Sequence, residues 1–247
     1  DRGVVLVAVD DGPEIDRAAL AATFSQPSPE SVFAEDGEYA QYRNVRDDPA
    51  FPVDALAQSL DAALRAHFVV GHASSRRRLV LDDAFVISYG THHADTTVKK
   101  HTDPSDVTAN VCLARSDDLR GSRILFYGRR RLLLAGGGGG GDDDDDHAEA
   151  TEDYSGGGLR DACQAADTSA APAARVLQPL PGDDEEVFCV DTRPGFAMLH
   201  FGSHPHETLP LERGSRTNCV MTFRFKDDDD DDDSETTPSR RPGAAPS

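Results

Sequence analysis

The residues of this 247-residue chain whose types and spacing could do chemistry lie in two short stretches. The first reads Val98-Lys99-Lys100-His101-Thr102-Asp103-Pro104-Ser105. On extended backbone, residues two apart project to the same side, so His101 and Asp103 can present an imidazole and a carboxylate to one point. Such a pair supplies two ligands of a metal site and needs a third. The second stretch, from Phe196 to Arg216, holds the candidates His200, His204 and His206. Two neutral imidazoles and one carboxylate on one face of Fe(II) leave three adjacent positions open, room for a bidentate oxo acid and dioxygen. A dicarboxylate oxo acid then needs a cation at its far end, and a guanidinium matches a carboxylate's two oxygens better than an ammonium does. Arg216, ten residues past His206, is placed for that role.

Other histidines have plainer readings. His200 stands as the alternative distal ligand because it also sits in a strand-like run, but His206 alone has the ten-residue spacing to Arg216. His204 reads as a loop histidine, and the adjacent His92 and His93 would point to opposite sides of an extended chain. Thr108 and Asn110 share one face of their strand and either touch a cosubstrate or satisfy buried hydrogen bonds.

These groups must be positioned by short β-type runs: Leu79–Leu81, Ala84–Tyr89, Val107–Leu113, Arg123–Tyr127, Val187–Asp191, Phe196–Phe201 and Cys219–Phe225, each bounded by Gly, Pro, Asp or Ser. Many short strands with turn signals argue for a sandwich or jelly roll. Upstream, Val53, Leu56, Leu60, Leu64 and Phe68 follow Pro52 at three- and four-residue steps and line one face of a helix. A second helix is expected over 14–24. The expected fold is therefore mainly β with flanking N-terminal helices (α+β). Three regions follow: a helical support over 1–75, a β domain over 76–226, and an acidic tail over 227–247. Residues 132–186, with runs of Gly and Asp, and the tail are too poor in apolar residues to offset their ordering entropy and are expected to be disordered.

The formal charge is −20, yet the Asp runs at 142–146 and 227–233 supply 12 of those charges, so the acidity belongs mostly to insert and tail. A net acidic surface forfeits the counterion release that drives nucleic-acid affinity, so nucleic acid is not the expected partner. No apolar run approaches the ~20 residues of a membrane span. Val4 to Val9 reads as a strand rather than a signal peptide, which favours an intracellular chain but leaves the compartment, like the oligomeric state, open. Cys112, Cys163, Cys189 and Cys219 are widely spaced without a CxxC pair and read as reduced thiols. The triplets Arg76–Arg78 and Arg129–Arg131 read as solvated loops, or as contacts to an acidic partner or to the chain's own Asp runs.

The combination resembles the Fe(II)/2-oxoglutarate dioxygenases of the prolyl 4-hydroxylase and procollagen lysyl hydroxylase type. The matching pieces are Tyr89, His101-Thr-Asp103, Ser105, the run Val107 to Leu113, and the block from His200 through His206 to Gly214-Ser-Arg216. They span about 79–131 and 187–226. A single Gly121 precedes the Arg123–Tyr127 strand where the family carries a pair. The resemblance implies a double-stranded β-helix in which His101, Asp103 and His206 bind Fe(II), Arg216 binds the far carboxylate of 2-oxoglutarate, and Tyr89 hydrogen-bonds the cosubstrate. It also implies ascorbate as a helper, and hydroxylation of a C–H bond on a prolyl or lysyl side chain or a related small molecule, with release of succinate and CO2. Three other readings stand beside it: a cupin-like metal-binding barrel without 2-oxoglutarate, an oxidative demethylase of alkylated nucleobases suggested by Arg216, Asn218 and Thr222-Phe223-Arg224, and a degenerate interaction module.

Overall fold

The computed structural model describes residues 3–11, 15–25, 42–69, 77–91, 96–128 and 187–227 in full, and 173–177 as backbone. Thirteen strands are described: β1 (Val4–Ala8), β2 (Tyr42–Asn44), β3 (Arg77–Gly90), β4 (Val98–His101), β5 (Val107–Arg115), β6 (Arg120–Gly121), β7 (Ile124–Tyr127), β8 (Ala173–Leu177), β9 (Val187–Asp191), β10 (Phe196–Phe201), β11 (His206–Thr208), β12 (Leu211–Arg213) and β13 (Ser215–Asp227). The helices are α1 (Arg17–Phe24) and α2 (Val53–Leu64), the latter running into a π-helical turn over Arg65–Val69.

The strands form a six-stranded sheet in the order β1-β10-β5-β13-β3-β2, a five-stranded sheet β4-β11-β7-β9-β8, and the small pair β12-β6, with antiparallel pairing throughout. This is the double-stranded β-helix, or jelly roll. Side-chain alternation splits the large sheet between two cores. Ala197, Leu199, Ala84, Val86, Cys219 and Met221 face α1 and α2, while Met198 faces inward against Ile124, Phe126 and Phe188 of the small sheet. A one-residue slip of β10 would exchange these sets and drive His200 out of the interior.

Local chemistry explains the flanking helices. Asp16 caps α1 by accepting from the Ala19 amide at 3.0 Å. In α2 the buried residues are Val53, Leu56, Leu60 and Leu64, one stripe at helical spacing. The π-helical turn then swings Phe68 onto Phe201, ring centroids 4.9 Å apart, which ties α2 to the end of the strand bearing His200.

Several expectations are revised. The runs Leu79–Leu81 and Ala84–Tyr89 form one strand, β3, because its pairing with β13 skips Asp82 in a bulge that accommodates the polar Asp82-Asp83 interruption. Within 132–186, where disorder was expected, residues 173–177 form β8, their backbone groups satisfied by the ladder to β9. The rest of 132–186, the Arg129–Arg131 triplet, His92-His93 and 228–247 lie outside the described residues. Cys112 and Cys219 are free and buried, but Cys189 is disulfide-bonded, contrary to the reading of four reduced thiols. Pairing depends on approach in space, and the sequence spacing carries no trace of it. Arg77, in the first basic triplet, pairs at 2.9 Å with Asp227, where the acidic run begins. Among the described residues no helix is long and apolar enough to cross a membrane.

Candidate functional site

β4 and β11 are antiparallel neighbours in which His101 is the direct partner of His206, so register alone brings the two imidazoles together with centroids 4.3 Å apart. Asp103 lies two residues beyond His101 in the loop to β5. Its backbone N–H donates to the Gly202 carbonyl at 2.9 Å, and the Gly202 N–H donates to the Asp106 carbonyl at 3.0 Å. That close approach requires glycine: a Cβ at position 202 would overlap the Ser105 carbonyl oxygen. The metal-binding atoms of His101, Asp103 and His206 all lie within 4.8 Å of one another. His101 Nε2 is 3.4 Å, and His206 Nε2 3.7 Å, from Asp103 Oδ1.

Hydrogen bonds orient each group. His101 Nδ1–H donates to the Lys99 carbonyl at 2.8 Å and His206 Nδ1–H to the His204 carbonyl at 2.9 Å, which directs both Nε2 atoms at the carboxylate. Thr108 Oγ1 donates to Asp103 Oδ2 at 2.6 Å and is itself bonded to Ser105 Oγ at 2.8 Å. Burial raises the Asp103 carboxyl, but the hydrogen bond from His101 and the neighbouring His200 and His206 outweigh it and hold the group well below the carboxylate range. For His206 burial dominates and lowers the imidazole. For His101 burial also lowers it, yet the bonds to Asp103 and the Lys99 carbonyl prevail and raise it.

His200 is buried beside this group. Its Nδ1–H donates to the Phe201 carbonyl at 2.9 Å, its Nε2 stands 3.8 Å from Asp103 Oδ2, and burial pushes it down to about 3. His204 occupies the turn before β11, as expected, but is buried against Phe126 and Phe188.

The triad opens onto a cavity of about 900 Å³ between the sheets. Arg216 also lines it. On β13 it pairs with Tyr89 of β3, and its guanidinium carbon lies 5.3 Å from the Tyr89 ring centroid. One arm of the guanidinium donates to the Ser122 carbonyl, while the buried Nε has no hydrogen-bond partner. Burial lowers its pKa, with Tyr89, Cys112 and Asp191 acting against that. A desolvated cation with an unused donor is suited to an incoming carboxylate. Gly214, at φ +82°, turns the chain into β13 just before Arg216. Asn218 donates to Asn110 Oδ1, so Asn110 satisfies a buried hydrogen bond, one of the two roles weighed for it, and it also borders the cavity.

The sites Tyr89, His101, Asp103, His206 and Arg216 are thus all brought to one cavity. The contributions of the Ser122, Lys99 and His204 carbonyls are backbone roles that residue type does not reveal, whereas at position 202 the type itself, glycine, is required. Tyr42 and Phe85 also line the cavity and were not singled out from the sequence; the alternation of the Ala84–Tyr89 run is the signal that could have found the latter. Arg224, invoked for the nucleobase reading, is exposed near the end of β13, where it pairs with Asp82 at 3.2 Å and donates to the Pro104 carbonyl.

No family model and no curated protein matches this sequence. Among solved structures, the chain is similar to SnoN, the non-heme alpha-ketoglutarate-dependent epimerase of nogalamycin biosynthesis, at 15% identity and a TM-score of 0.50, over 90% of this chain and 78% of that one. A prolyl-4-hydroxylase from Pseudomonas putida aligns at 15% identity and a TM-score of 0.46 over 90% and 93%. HygX from Streptomyces hygroscopicus, solved with nickel, 2-oxoglutarate and hygromycin B bound, aligns at 14% and 0.45 over 90% and 83%. The likeness to SnoN supports the jelly-roll fold and nothing beyond it.

Proposed function

We propose that the protein is a 2-oxoglutarate-dependent dioxygenase that uses Fe(II) to hydroxylate a C–H bond, forming succinate and CO2. One observation carries the reading: two imidazole Nε2 atoms and one carboxylate converge in a cavity that is also lined by a buried arginine whose Nε has no hydrogen-bond partner. His101, Asp103 and His206 are the iron ligands, and Arg216 receives the far carboxylate of the cosubstrate beside Tyr89. Bound iron supplies the activation of dioxygen. The chain's own part is to keep three cis donors fixed through the Lys99, His204 and Thr108 hydrogen bonds, and to hold the oxo acid by its far end. The apolar walls exclude water from the reacting region. A prolyl or lysyl side chain, or a related small molecule, is the substrate class the family resemblance suggests, with ascorbate as helper.

The test is anaerobic titration of the Fe(II)-loaded protein with 2-oxoglutarate. A visible charge-transfer band from a chelated oxo acid is expected, and it should vanish in Asp103→Ala. Its absence in folded, iron-loaded protein favours a metal-binding barrel that does not use 2-oxoglutarate. His200 is the observation for that second reading, because a third imidazole ligand would leave too few positions for both a chelated oxo acid and dioxygen.

A further inference from the structure

The charge of the cavity runs against that of the chain. Among the described residues lining it, Asp103 is the one carboxylate, against Lys99, Lys100 and Arg216, in a chain whose formal charge is −20. In the oxygenase reading, on which this inference rests, the charges of Fe(II), Asp103, 2-oxoglutarate and Arg216 cancel. Lys100 Nζ lies 4.0 Å from the centre of the Tyr127 ring, with which it is engaged. Lys99 remains. It shares a strand face with His101 by the two-residue alternation of β4, it borders the cavity, and no ion pair engages it among the described residues.

The opposite wall is of another kind. Among the described residues β2 is one of the two edge strands of the large sheet, and its Tyr42 pairs with Ile87 of β3. The Tyr42 ring stacks on Phe85 with centroids 4.1 Å apart and planes at 24°. Phe85 and Ile87 alternate with Ala84 and Val86, which face the helices, so both project into the cavity with Val220, the cross-strand partner of Phe85. Tyr42, Phe85 and Ile87 are only half-buried, which leaves a flat apolar shelf in the cavity that the triad also lines.

We propose that the substrate is a small molecule with a flat apolar body and one anionic group, the body resting on Tyr42, Phe85 and Ile87 and the anion paired with Lys99. The cavity of about 900 Å³ suits such a molecule. The same ammonium repels a lysyl side chain, so the lysyl form of the substrate class is disfavoured.

A charge-matched pair of dyes tests this on the full chain loaded with redox-inert Zn(II) and 2-oxoglutarate. 1-Anilinonaphthalene-8-sulfonate and N-phenyl-1-naphthylamine share an aromatic body and differ in the anion, and the chain has no Trp to interfere with their fluorescence. The sulfonate should bind at one site per chain, roughly fivefold tighter than the neutral dye. Lys99→Gln should abolish that preference and leave the neutral dye unchanged, while Phe85→Ala and Tyr42→Ala should weaken both. 3-Phenylpropionate should displace the sulfonate, and 3-phenylpropylamine should not. Equal binding of the two dyes, indifference to Lys99→Gln, or stronger displacement by the amine or by a prolyl peptide overturns the proposal. The two readings fail separately: a charge-transfer band with no Lys99 dependence overturns the substrate class alone, and Lys99-dependent binding without the band overturns the oxygenase reading alone.

Discussion

His101 and His206 each donate Nδ1–H to the carbonyl of the residue two positions before, whereas His200 turns its Nδ1–H to the residue after it. The shared arrangement aims the first two at Asp103 Oδ1, and His200 at the other oxygen, which Thr108 already occupies. This separates the ligands from their neighbour. His101→Ala, Asp103→Ala and His206→Ala should each weaken Fe(II) binding by at least about 100-fold, since loss of an outer partner alone costs 10–100-fold, and should stop succinate formation. His200→Ala should retain iron, and Arg216→Ala should retain iron while raising the 2-oxoglutarate requirement. Calorimetric iron titration and a succinate assay check this, and iron lost in His200→Ala but kept in His206→Ala would reverse the assignment. The two-residue step of His101 and Asp103 and the ten-residue step from His206 to Arg216 were readable because side-chain type and spacing determine them. The partners that fix the imidazole tautomers are main-chain carbonyls, which any residue possesses.

Elements obey the same division. β9 and β10 were legible to the residue as short, continuous apolar runs bounded by turn residues, buried on both faces, and α2 by its one-sided stripe at helical spacing. β6, β11 and β12 have two or three residues apiece, too few for a period, and β8 lies in a segment whose composition hides its ladder to β9. The bulge at Asp82 exists only in the pairing of β3 with β13 and so left no mark in either strand read alone. Among connections, the turn at Gly202 is decisive, since it clamps the Asp103 loop against the end of β10. Gly202→Ala should therefore cost about 1–3 kcal/mol of stability by urea denaturation and also weaken iron binding. A loss of stability with iron affinity unchanged would show that the clamp does not hold Asp103 in place.

Across the whole molecule, the candidate site joins the two sheets: His101 and His206 come from the small one, Arg216 from the large one, and Asp103 from the loop between them. The acidic runs visible in the sequence said much about net charge and nothing about the cavity, whose lysines are set against that background by strand placement. Among the described residues β4 is an edge strand, bound on one side to β11 alone, through the pairs His101↔His206 and Val98↔Thr208. So short a ladder opens easily to solvent, and its amide protons should be among the fastest of the barrel to exchange with deuterium in metal-free protein. An ion held by one residue from each strand would close that edge as a clasp closes a seam. Metal loading should therefore slow exchange in β4 and β11 far more than in β5 or β10, a pattern readable by mass spectrometry without any substrate. Uniform protection, or none, would mean that the ion is held elsewhere.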